Sequence, residues 1–271
     1  MHAYSRRSFL QLGLAAAAAG MLGLTGCRNA LPRKKLIVAC GSDIGGLAIE
    51  AALTRGMAAS VDFGSDETFI GDCCGSTAQF TLSTGDVDVA VLCPDAVQSL
   101  RDADEDFVEL GTIVYDGNVL VAPGGNALEC TNVGYMAERY EQLDDLEAFY
   151  EGREVEFRSL YTFSTAYALA NGLVQAAAMD VAAGAKTGYV AEPFTSNQPT
   201  SVLVARGSLA GDERLAELLE TCNTFLAELQ DEGEGLVQLL CELFESDDVE
   251  EVMSWWRNST TQFGFHLEMT E

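Results

Sequence analysis

Short apolar runs and helically spaced apolar positions alternate along this chain. Leu36–Ala39, Ala59–Phe63, Val87–Leu92, Val108–Val114 and Val119–Ala122 have the length and β-branched content of buried strands. Between them, Leu47–Arg55, Ser76–Ser83 and Ala96–Arg101 have helical spacing, with Gly56 and Gly85 as stops and Gly41–Gly46 as a loop. A second set follows. Asn132–Met136, Val155–Phe157, Ala176–Met179 and Ser201–Ala205 read as strands, Glu138–Tyr150 and Thr165–Ala170 as helices, and Pro193–Pro199 as a loop. The order strand, helix, strand predicts α/β architecture, with parallel strands joined by right-handed crossovers. Asp212–Leu229, Leu236–Phe244 and Val249–Trp256 form a helical tail. Leu215, Leu218, Leu219, Cys222, Leu226 and Leu229 mark one apolar face of its first helix.

The N-terminal segment carries a different pattern. Ser5-Arg6-Arg7-Ser8-Phe9-Leu10 is a twin-arginine sequence leading into the apolar run Leu12–Leu24. That run falls short of the ~20 residues that span a bilayer, and it ends in Leu24-Thr25-Gly26-Cys27, a lipobox. The expected processing is cleavage before Cys27 and lipid attachment to its thiol, with residues 27–34 as a tether. The chain is then exported and anchored to the outer face of the cytoplasmic membrane. Twin-arginine signals carry proteins folded in the cytoplasm, so the cysteines meet a reducing compartment first.

Charge narrows the partners. Lys and Arg number 15 and Asp and Glu 42, for a net charge of −27. Residues 1–26 hold Arg6, Arg7 and no acid, so the chain from Cys27 onward carries net −29. Such a surface excludes nucleic acid and general attraction to anionic lipid. Hydrophobic content of 48% suffices for one large domain or two smaller lobes.

Three passages carry a family resemblance. They are Ser83-Thr84-Gly85-Asp86-Val87-Asp88-Val89-Ala90; Asn171-Gly172 with Ala176–Asp180 and Ala191-Glu192-Pro193-Phe194; and Ser201–Arg206 with Leu209 and Asp212–Leu229. Together they resemble the two-lobed substrate-binding proteins of ABC importers, in the branch with sulfonate and thiamine-precursor binders. The resemblance implies a type II periplasmic-binding-protein-like fold, with lobe one at 35–118 plus 200–271, lobe two at 119–199, and ligand in the cleft. It implies an ABC permease and ATPase as partners, and neither enzyme activity nor a cofactor. A narrower likeness lies in Gly71-Asp72-Cys73-Cys74-Gly75-Ser76-Thr77-Ala78-Gln79-Phe80 and Leu92-Cys93-Pro94-Asp95-Ala96. These resemble the substrate-binding component of the proposed selenocysteine-assisted organometal transport systems, and would put Cys73 or Cys74 at the selenium position.

On such a fold, Cys40 ends a strand, Cys73-Cys74 precedes a helix and Cys93 follows a strand. All four thiols are expected at the sheet edge where open α/β sheets bind ligands. Thiolates select soft metals, and the spacing does not match a closed zinc knuckle. Cys40, Cys73, Cys74 and Cys93 are therefore candidate ligands for a soft cation, including organomercury-like species. Two other readings stand beside this one, a Cys40–Cys93 disulfide and inert packing, the latter favoured for Cys222 and Cys241. Ser42, Ser76, Met136, Arg139 and Asp180 complete the candidate binding set by their places after strands or before a helix. Asp43 in the loop Gly41–Gly46 would repel phosphate. His2 and His266 are the only histidines, and no catalytic triad can be built. A binder of a small organic anion or thiamine-precursor-like molecule and an exported thiol redox protein are the competing readings.

Overall fold

A computed structural model describes residues 35–56, 61–63, 80–264 and 266–269. The expected signal segment, Cys27, Cys73, Cys74 and Ser76 lie outside them. The first half runs β1 (Leu36–Ala39), α1 (Ile44–Gly56), β2 (Val61–Phe63), β3 (Val89–Leu92), α2 (Pro94–Asp102), β4 (Phe107–Tyr115) and β5 (Asn118–Val121). It continues with β6 (Asn132–Met136), α3 (Tyr140–Phe149), β7 (Glu156–Leu160), α4 (Thr162–Ala170), β8 (Ala176–Asp180), α5 (Val181–Ala185) and β9 (Ala191–Glu192). The rest is β10 (Pro199–Arg206), α6 (Glu213–Gln230), α7 (Glu234–Phe244), α8 (Val249–Ser259) and β11 (Gln262–Phe263).

The strands form two sheets. One has the order β11-β4-β10-β3-β1-β2 and the other β7-β6-β8-β5-β9. The chain leaves the first sheet after β4, crosses at Asp116 and Gly117, and returns through 193–198. Val119–Val121 and Val202–Val204 lie just inside the sheets, next to these crossings, each paired on both sides.

Apolar runs predicted the strands because most are buried on both faces. In β3, Val89 and Val91 pack on one side with α1 and the tail helices, while Ala90 and Leu92 pack on the other with Val97 and Leu100 of α2. The α6 stripe Leu215, Leu218, Cys222, Leu226 and Leu229 is buried as its spacing implies, each fully buried leucine contributing about 1.5–3 kcal/mol. In the second sheet, Leu120 faces Leu146 and Tyr150, and Val119 and Val121 join the larger core.

The expectation of parallel sheets needs correction. β1 pairs parallel with β2 and β3, and β6 with β7 and β8. β10, however, runs antiparallel to both β3 and β4, and β5 antiparallel to β8 and β9. A two-sided apolar run reports burial and carries no direction. Helix α1 starts at Ile44, inside the expected loop. Gly45 and Gly46 are buried in its first turn, because a Cβ on Gly46 would fall 2.1 Å from Gly41 O and one on Gly45 2.5 Å from Ser201 Cβ. The tail also does more than cover the first sheet. Trp255 of α8 donates Nε1–H to Tyr189 O at 3.1 Å, so this helix reaches the segment just before β9.

Candidate functional site

The site lies where the two sheets face one another, and two helix N-termini build it. The first four amides of a helix have no partner inside it and carry partial positive charge. At α1, Asp43 accepts from Gly46 N at 2.8 Å, and Ser201 of β10 donates to the same carboxylate at 3.4 Å. The first amide, Ile44 N, is taken by Asp180 Oδ1 at 3.2 Å, an atom that also accepts from Ala182 N at 2.8 Å. Asp180 ends β8 in the other sheet, so one carboxylate caps its own short helix and that of its neighbour.

The opposite end of the contact mirrors this. Asp95, in the first turn of α2, accepts from Tyr140 N at 3.0 Å and Glu141 N at 3.2 Å, the first two amides of α3. Arg139 lies alongside, with Nε 3.7 Å from Asp95 Oδ2. Each sheet thus supplies an aspartate to a helix N-terminus belonging to the other.

Negative charge dominates. Burial pushes Asp43 up from the ordinary carboxylate range, against the pull of the Gly46 amide and Arg139. Burial, and next the charge of Asp43, does the same to Asp180. Asp95 is raised by burial despite the Glu141 amide, and Glu141 by burial and then by Asp95 and Asp145. Beside these carboxylates a cavity of about 510 Å³ opens between the sheets, lined by Asp95, Asn118, Arg139, Glu141, Gln142 and Thr200 among others. Gln142 is buried and fixed by its Oε1, which accepts from Met136 N at 2.8 Å, while its Nε2 has no partner among the described residues.

The residues singled out from the sequence divide accordingly. Arg139 and Asp180 stand at the contact between sheets. Cys93 is the N-cap residue of α2, buried, and close enough to Asp43 and Asp95 to raise both. Cys40 is turned differently. It packs against the core under α1, and burial, followed by the charges of Glu50, Cys222 and Asp43, holds its thiol well above the ordinary value. Cys40 and Cys93 are both free thiols, so the structure contains no disulfide between them. Ser42 is exposed on the loop before α1, and Met136 is buried at the end of β6. Among the described residues, no three His, Cys, Asp or Glu side chains are grouped to hold a metal ion. Sequence reasoning overlooked Asp95 and the capping role of Asp43. An aspartate just before a helix is an N-cap signal that could have found Asp43, whereas nothing separates Asp95 from the other acids.

No family model matches the chain, and no curated protein matches it. Solved structures match at the level of fold. The alkanesulfonate-binding protein SsuA from Xanthomonas axonopodis pv. citri, bound to MOPS, superposes with a TM-score of 0.63 at 12% identity, over 87% of this chain and 88% of that one. The ligand-binding component of an ABC-type import system from Staphylococcus aureus, with zinc bound, gives 0.64 at 12% identity, over 87% and 86%. The periplasmic aliphatic sulphonate binding protein SsuA from Escherichia coli gives 0.60 at 16% identity, over 86% of each chain. The fold defined by the two sheets is therefore the two-lobed, periplasmic-binding-protein-like one, with helices flanking each sheet. Among the described residues no helix is long and apolar enough to cross a membrane.

Proposed function

We propose that this chain is the solute-binding subunit of an ABC importer, tethered by lipid on Cys27, and that it captures a small cation between its lobes. Lobe one is 35–118 plus 200–271 and lobe two 119–199. One observation carries the choice of charge. The helix N-termini that would offer N–H groups to an anionic ligand are already filled by Asp43, Asp95 and Asp180, and Arg139, the cation between them, lies against Asp95. An oxyanion entering here meets carboxylates, and a cation finds them ready to accept its charge. The finer reading is a soft metal or organometal species as cargo. Cys93, beside the carboxylates, is taken as a soft ligand together with Cys73 and Cys74, and burial, which raises the Cys40 thiol, disfavours its thiolate.

The test is thermal stability of the reduced protein titrated with a methylmercury salt and, separately, with taurine and a pyrimidine. Ligand at about 100 times its Kd stabilises by about 2.7 kcal/mol. Methylmercury is expected to raise the melting temperature of the wild type, and less that of a Cys73→Ser/Cys74→Ser/Cys93→Ser variant. Stabilisation by taurine with none by methylmercury overturns the cationic reading. Cys27→Ser is expected to move the protein from the membrane fraction to the soluble one.

A further inference from the structure

The two aspartate contacts between the lobes are more than local caps. Asp95 reaches from α2 to Tyr140 N and Glu141 N of α3, at 3.0 and 3.2 Å. Asp180 reaches from the end of β8 to Ile44 N of α1, at 3.2 Å. The directions are opposite, so each lobe gives one carboxylate and one helix N-terminus. Both carboxylates are enclosed, with only 11% of the Asp95 side chain exposed. A carboxyl oxygen on helix amides satisfies donors that have no partner in their own helix and lies at the favourable end of the helix dipole. Both interactions vanish when the lobes part, and the two amide sets then face water.

We infer that Asp95 and Asp180 form a reciprocal clasp that closes the cleft without ligand, each filling the opposite lobe's helix N-terminus as an anionic ligand would. The clasp is made by protein groups alone and does not depend on the charge or identity of the cargo. It makes the closed form the resting form, so that ligand enters through the open fraction and its apparent affinity falls by that fraction. It also couples the two contacts. They lie at different helices and share no hydrogen-bond donor, but the charge of Arg139 reaches both carboxylates, so the comparison is repeated in an Arg139→Gln background, where motion of the lobes as bodies is the remaining link.

That coupling is what an experiment can read. First-turn amides have no acceptor in their own helix, so hydrogen exchange at Ile44, Tyr140 and Glu141 reports the cross-lobe acceptors directly. The measurement uses the ligand-free, reduced full chain and its Asp95→Ala and Asp180→Ala variants. Each substitution is expected to speed exchange at the amides it touched. The clasp further requires Asp95→Ala to speed exchange at Ile44, and Asp180→Ala to speed it at Tyr140 and Glu141. The rise should be on the order of tenfold, the scale set by losing one buried hydrogen bond. Where an alanine variant fails to fold by circular dichroism, Asp95→Leu or Asp180→Leu carries the same comparison, since leucine fills the volume and offers no acceptor to the amides. Effects confined to each variant's own amides would show two independent caps and overturn the inference.

Discussion

Replacing Asp116 with glycine and with alanine separates two contributions at the crossing between lobes. Asp116 is buried, and its carboxylate accepts from Thr195 Oγ1 at 2.8 Å, Asn197 N at 2.8 Å and Gln198 N at 3.1 Å. It therefore fastens the outgoing crossing to the returning one. Its own carbonyl accepts from Thr261 Oγ1 at 2.9 Å, which brings the chain after α8 to the same point. Hydrogen bonds to a charged group are worth about 1.5–3 kcal/mol each. Asn197 and Gln198 are exposed enough for water to replace part of that, so loss of all three is expected to cost about 2–4 kcal/mol in Asp116→Gly. The backbone adds a second effect. Asp116 has φ of 52°, which glycine adopts freely and alanine at a cost of about 1–2 kcal/mol. Asp116→Ala should therefore be the less stable of the two variants. At roughly 2–4 °C per kcal/mol for a chain of this size, the melting temperature falls by about 4–16 °C in the glycine variant and further in the alanine one. Urea unfolding followed by tryptophan fluorescence measures both. Variants within about 0.5 kcal/mol of wild type, the range of an ordinary surface change, would refute the claim that Asp116 joins the crossings. An alanine variant no worse than the glycine one would refute the backbone part.

Other expectations follow from the same geometry. Gly46→Ala places a Cβ 2.1 Å from Gly41 O, a backbone atom that cannot rotate away, and should destabilise by at least the ~1–3 kcal/mol of an overpacked core in the same unfolding assay. Burial pushes the Cys222 thiol up to about 12, so iodoacetamide at about pH 8 should spare it in the native protein and modify it after denaturation, as mass spectrometry of the peptides reads. Asp180 is raised above its unfolded value by burial and by Asp43. Its contribution is therefore fully present below the ordinary carboxylate range and lost as pH rises through the folded value, so ligand-free stability should decline across about pH 5 to 8 as that carboxyl ionises. Melting curves that improve over that interval in wild type relative to Asp180→Asn would reverse the sign of this argument.

Much of the fold was legible because the strands are continuous apolar blocks. Leu36–Ala39 is legible to the residue as an apolar run, and Asn132–Met136 as a short mixed run opened by Asn132. Ala191–Glu192 and Gln262–Phe263 are two-residue strands, too short to carry a period, and α5 has five residues, little more than one turn. The Gly45-Gly46 pair was read as a turn because glycine signals both a turn and a close approach, and only packing against Gly41 and Ser201 distinguishes them. Arg139 and Asp180 stand out in the sequence by their positions at or just after strand ends, and the structure places both at the contact between the sheets. Asp95 does not stand out, because its partners Tyr140 and Glu141 are 45 and 46 residues away. A contact of that separation leaves no mark on local patterning, least of all in a chain with 42 acids.

The place of β10 bears on the order in which the chain acquires structure. Residues 199–206 lie between β3 and β4, pairing with both, so the first sheet lacks its central strand until synthesis is about three-quarters complete. β5 through β9, by contrast, are contiguous in sequence, and their sheet needs no later strand. At about 5–20 residues per second of synthesis, the second lobe has seconds in which to assemble on the ribosome, while β3 waits with one side unpaired and β4 with both, since β11 comes later still. A stop codon or stall before residue 199 would release the three strands β3, β1 and β2 with β3 open along one side and β4 with no partner at all, which makes translation arrest, rather than heating, the condition under which this protein should aggregate most readily.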